Sequence, residues 1–113
     1  MQAAILFLKL GIGGIMVVFG IHKWYNPRHW FGCIPDWFEA ISPLGNAALM
    51  RTYGVGDLVF GIFLLSGLYP VAATWIALIW WTVGVPFSFY CKWDVGVRDT
   101  VITLAAAALL ILI

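Results

Sequence analysis

The stretch "LVFGIFLLSGLYPVAATWIALIWWTVGVPFSFYC", Leu58 to Cys91, contains no charged residue. A membrane span needs about 20 apolar residues, so this run is too long for one crossing and must fold back. The best break within it is "SGLYP", Ser66 to Pro70. Glycine suits the left-handed conformation that ends many helices, and proline suits the first helical turn, where its missing N–H costs nothing. The reading predicts one helix near 47–68 and another near 71–90.

Working outward, residues 3–22 form a further apolar run interrupted only by Lys9. A signal peptide carries its charge ahead of the apolar core and a small-residue cleavage site behind it, and this run does neither. It is expected to be a retained helix. The run over residues 97–113 is the shortest, roughly 25 Å long at 1.5 Å per residue, so it needs little tilt to cross. The expected fold is therefore all-α: a single membrane domain over residues 1–113, built as an antiparallel four-helix bundle. Helices are the spanning form this pattern allows, because lipid offers backbone groups no partners and nothing here alternates like a barrel strand.

Composition agrees. Of 113 residues, 64% are hydrophobic and 10% charged, and mean hydropathy is +1.01. Soluble domains carry about 25% charge, so too little polar sequence exists here to cover a soluble surface. A net charge of +1 leaves no basic face for nucleic acid. Seven Trp and four Tyr fit a chain with two membrane–water boundaries.

Four spans put both termini on one side, side B. Side A then holds a long first loop, residues 23–46, and a short third loop, residues 91–96. The first loop, rich in Trp and Phe with three prolines, suits a segment in the headgroup layer with a short interfacial helix after Pro35. His22, His29, Cys33 and Asp36 are metal-capable, but their spacing fits no compact zinc or copper signature, so no metal site is expected. Cys33 and Cys91 both fall on side A and are candidates for a disulfide if that side is oxidising. They are not a CxxC pair, so thiol-exchange chemistry is not expected from the motif. Lys23, Arg28, Arg51, Lys92 and Arg98 lie on side A against Lys9 alone on side B, and the positive-inside rule would put side A in the cytoplasm; a disulfide would require the reverse.

Lys9 and Asp57 are the two charges deepest in the spans. Lys9 shares a helical stripe with Gly13, Met16 and Gly20, and Asp57 shares one with Gly54 and Gly61. Small residues allow close helix approach, so each charge lies on a seam. The expectation is a buried Lys9–Asp57 ion pair, with the lysine stem extending toward side A. Arg51 and Arg98 are alternative partners at the helix boundary. Asp99 is explained by the dipole at the start of the last helix. Pro86 is expected to kink the third span. No phosphate loop, catalytic nucleophile motif or dinucleotide fingerprint is present, and no catalytic residue is assigned.

Three stretches together resemble one family: "KLGIGGIMVVFGIHKW" (Lys9–Trp24), "GVGDLVFGIFLLSGLYP" (Gly54–Pro70) and "VRDTVITLAAAALL" (Val97–Leu110). They are similar to the DoxX family of small four-helix membrane proteins. The markers are Lys23 after the first helix, the acid of the glycine-bearing second helix, and the Arg98–Asp99 pair. Where the family pattern has glutamate, this chain has Asp57. The resemblance implies a small accessory subunit that packs against a larger membrane redox complex, an oxidoreductase or monooxygenase, in a prokaryotic plasma membrane. Alternatives are the quinone-site subunit of a thiosulfate:quinone-type oxidoreductase, using Asp57, Arg98 and Asp99, and a small transporter or channel. The expected partners are membrane lipid and larger subunits. The chain brings no complete cofactor set of its own, and a quinone is the one candidate ligand.

Overall fold

The computed structural model describes residues 2–113. Four long helices cross in alternating directions: α1 (Gln2–Tyr25), α3 (Asn46–Ser66), α4 (Pro70–Cys91) and α5 (Trp93–Leu112). All four are long and apolar enough to span a bilayer. A 3-10 segment, Pro27–Cys33, and a short helix, α2 (Asp36–Ile41), fill the first loop. No strand occurs among the described residues. The molecule measures 45 × 25 × 20 Å, and its long axis matches a bilayer with its headgroups, about 40–45 Å. This is an integral, multi-pass, all-α membrane protein.

The helices pack as two close pairs, α1 with α3 and α4 with α5. The first pair is sealed by glycine. A Cβ on Gly20 would sit 2.7 Å from the Gly54 carbonyl oxygen, and one on Gly54 would sit 2.9 Å from the Gly20 oxygen. Only residues without a side chain allow this approach, so the two stripes read from the sequence do meet. Met16, Leu64, Ala77, Ala106 and Leu109 form the centre of the core that joins the pairs. Outside, Phe7, Val18, Ile62, Ile79 and Leu104 are exposed, the polarity a lipid solvent requires. Hydroxyls on the spans bond within their own helix: Thr52 donates to the Ala48 carbonyl, Thr82 to Leu78 and Thr103 to Asp99. Lipid cannot satisfy them, so the helix does.

The turn on side B follows the sequence reading. Gly67 is left-handed at φ 76°, and its N–H donates to the Leu64 carbonyl. α4 opens on Pro70 and runs unbroken through Pro86 to Cys91. α2 begins directly after Pro35.

Two boundaries differ from expectation. α1 continues past residue 22 to Tyr25, which brings Lys23 onto a helix and into the bundle. α5 starts at Trp93 rather than near residue 97, leaving Lys92 as the single non-helical residue after α4. The last span is therefore about 30 Å long, a full bilayer core. Asp94, not Asp99, occupies its first turn. The dipole account of Asp99 fails for that reason, because the effect fades beyond the first turn.

Candidate functional site

Asp57 is 2% exposed and pairs with Lys23, itself 6% exposed. The expected partner, Lys9, does not reach it. A helical Cα–Cβ bond tilts toward the helix N-terminus. On α1 that direction runs from side A to side B. Lys23, near the side-A end, is thus aimed back into the bundle toward Asp57. Lys9 is aimed away, and its Nζ lies beside Gly67 at the side-B turn. The signal was present in the sequence: Lys23 is the next step, three residues on, of the Gly13–Met16–Gly20 stripe. A helix that ends at residue 22 hides this step, because Lys23 then reads as loop.

Aromatic rings and hydrogen bonds complete the pair's surroundings. The Lys23 ammonium sits 4.4 Å from the centroid of Tyr53 and 4.7 Å from that of Trp30. Each ring face offers a cation about 0.5–2 kcal/mol. Lys23 takes one carboxylate oxygen of Asp57, and the Trp80 indole N–H donates to the other at 2.5 Å. Trp80 is held by stacking on Tyr53 and by an edge contact with Phe60. Position 56 must be glycine for it to fit, because a Cβ there would enter the Trp80 ring.

A second carboxylate lies nearby. Asp99 accepts from the Ser88 hydroxyl and from Arg98 Nε at 2.9 Å. The Arg98 guanidinium also covers Phe19, 4.8 Å from the ring centroid. Arg98 therefore serves Asp99 rather than Asp57. Arg51 is exposed and lies 5.8 Å from the Trp24 ring, so it too makes no ion pair with Asp57.

Both acids border one cavity of about 290 Å³. Its polar residues are Lys23, Asp57, Asp99 and Ser88, and its aromatic walls are Phe19, Trp30, Tyr53, Trp80, Trp81 and Phe87. Ile34, Pro35 and Phe38 close the side-A end, with Phe38 packed edge-on against Phe87. Val83 lines the cavity and is 60% exposed on the outer face of α4, so only this side chain's thickness separates that part of the cavity wall from the bilayer. One polar atom is left over. Trp81 is 7% exposed, lines the cavity, and its indole N–H has no partner. Buried donors without acceptors are rare and cost about 1–3 kcal/mol.

Cys33 and Cys91 form a disulfide that ties the 3-10 segment to the end of α4. Cys33 also lines the cavity. His22 accepts from the Trp30 indole N–H at 2.9 Å and lies edge-on to His29. No cluster of three metal-capable side chains occurs among the described residues.

The arrangement can do two things chemically. It can hold a small, mostly apolar ring between aromatic walls. It can also offer that ring a fixed hydrogen-bond donor (Lys23) and acceptors (Asp57, Asp99).

No curated protein and no solved structure matches this chain. The DoxX family matches over residues 4–90, which takes in nearly all of α1, the first loop, α3 and nearly all of α4 but stops short of the Arg98–Asp99 pair. With most of its length matched, and with Lys23 and Asp57 inside the matched span, the chain belongs to the DoxX family.

Proposed function

We propose that this chain is the quinone-site subunit of a larger membrane redox assembly. The observation that carries this reading is the cavity, which sets Lys23, Asp57 and Asp99 among aromatic walls, one of them Trp81, whose N–H has no partner. Its volume, about 290 Å³, lies at the small end of ligand pockets, which span about 300–1,000 Å³. That suits a single ring with short substituents, while an apolar tail would pass to the bilayer beside Val83, where the wall is thinnest. A quinone presents two carbonyl oxygens. Lys23 can donate to one, since it keeps two N–H groups beyond the one given to Asp57, and the Trp81 N–H, sealed in this structure, would reach the other once the ring displaces the wall that covers it. The reduced form presents hydroxyls, for which the Asp57 and Asp99 carboxylates are acceptors. The same groups thus fit both redox states. When bound, a quinone would supply two-electron, two-proton chemistry; the chain's own residues orient the ring, exclude water and hold charge beside it.

A ligand that enters from lipid needs no aqueous channel, and the apolar lining favours such a ligand over a polar solute. This weighs against the transporter reading. Packing against larger subunits remains part of the proposal. The Cys33–Cys91 disulfide fits an orientation with side A in an oxidising compartment. The positive-inside count is weakened here, since Lys23 is buried in its pair with Asp57.

Solvent extraction of protein purified in mild detergent tests the proposal. Quinone retained in stoichiometric amount by the native chain, and lost from Trp81→Phe, supports it. Quinone no more abundant than in protein-free micelles from the same membranes would sink it.

A further inference from the structure

The two cysteines are 58 positions apart in sequence and meet at the roof of the cavity. One of them, Cys33, is part of the cavity wall, and both residues are half-buried rather than sealed in the core. A staple would need neither property. A pair that passes electrons between the pocket and the side-A solution needs both.

We infer that Cys33–Cys91 is a redox-active pair, exchanging two electrons with a quinone held in the cavity; this rests on the quinone-site reading above. In the oxidising direction the two S–H bonds break and one S–S bond forms between Cys33 and Cys91. Two electrons and two protons leave the sulfurs, and the two C=O groups of the quinone become the two C–OH groups of the hydroquinone. The pair is reduced again by a dithiol on side A, through exchange that leaves that dithiol as a disulfide. The net reaction moves two electrons from a dithiol in solution to a lipid-soluble quinone. The wall position of Cys33 supplies the contact that the first step needs. The incomplete burial of Cys33 and Cys91 at the side-A end supplies the contact for the second. Lys23 and Trp81 hold the ring, and Asp57 keeps Lys23 in place.

The test uses the full chain in mild detergent, reduced with a small dithiol and freed of it without air. One equivalent of a short-chain benzoquinone is added. Hydroquinone is followed by absorbance, thiols by alkylation and mass spectrometry, and ring binding by quenching of tryptophan fluorescence. The expected result is about one hydroquinone per chain with loss of both thiols. Cys33→Ser and Cys91→Ser should bind the ring and yield none. Trp81→Phe should slow the reaction by about tenfold at subsaturating quinone, the factor for about 1.4 kcal/mol of lost binding. Intact thiols with the ring bound would overturn the inference and leave the quinone-site reading standing. Absence of ring binding would overturn both. Thiol loss at equal rates in wild type and Trp81→Phe, or arylated cysteine in place of a disulfide, would show oxidation outside the pocket and overturn the inference.

Discussion

Replacing Lys23 by methionine keeps most of the side chain's volume and removes its charge. Asp57 would then retain only the Trp80 N–H, in a site where it is 2% exposed. Breaking one side of a buried pair costs roughly 3–5 kcal/mol in soluble cores, and membrane references lower this to about 2–4 kcal/mol because unfolded helices also find partners. Two cation–ring contacts are lost as well. Asp57→Asn fails differently. Asp57 accepts two donors on two oxygens, whereas an amide has one oxygen. It can serve Lys23 or Trp80 but not both, so about 1–3 kcal/mol should be lost. In the double variant the lysine is gone and the amide oxygen is free for Trp80. Its loss should therefore fall short of the sum by about 1–3 kcal/mol. Unfolding in detergent micelles, with all four proteins measured together, gives this coupling. Lys9→Met paired with Asp57→Asn is the control and should be additive, because Lys9 lies beside Gly67. Additivity of the Lys23 and Asp57 losses to within about 0.5 kcal/mol would refute the reasoning.

Other outcomes follow from the same geometry. Gly54→Ala should cost about 1–3 kcal/mol, because its Cβ would meet the Gly20 carbonyl oxygen and Lys23 Cβ at 2.9 Å; denaturant titration checks this. Trp80→Phe should remove one of the two donors to Asp57 and lower stability by about 1–3 kcal/mol, read by the same titration. Cys91→Ser opens a loop of 58 positions; chain entropy assigns such a loop roughly 4 kcal/mol, and thermal unfolding with and without reductant measures how much survives in micelles.

Much of the fold was legible because lipid leaves few choices. An uncharged run too long for one span, broken at Gly67 and Pro70, requires two helices. The glycine stripes named the α1–α3 seam. The site was legible only in part. Asp57 stood out as a carboxylate among apolar residues, but its partner depended on which way a lysine points along its helix. That direction is fixed by the Cα–Cβ tilt and not by depth, so Lys9 was the wrong choice. Trp80, with Trp81 and Phe87 near Pro86, read as a place for a flat ring but not as a partner of Asp57, and Ser88 and Tyr53 gave no sequence signal, since aromatic and hydroxyl residues are common on spans and only the packing of the helices brings them to the acids. Asp99 was assigned to a helix start because Trp93 and Asp94 read as loop. The contact between Cys33 and the cavity likewise depends on how the 3-10 segment folds over the bundle.

The most direct test of the quinone-site reading sets the binding and stability of Trp81→Phe side by side. Its indole N–H has no partner in the protein, so removing it should leave thermal stability close to wild type, the lost packing being offset by relief of a buried donor worth about 1–3 kcal/mol. If that N–H serves a quinone carbonyl, titration with a short-chain benzoquinone should show saturable quenching in wild type and about tenfold weaker binding in the variant. Equal, non-saturating quenching in both proteins would mean that the ring partitions into the micelle and that the cavity is not its site.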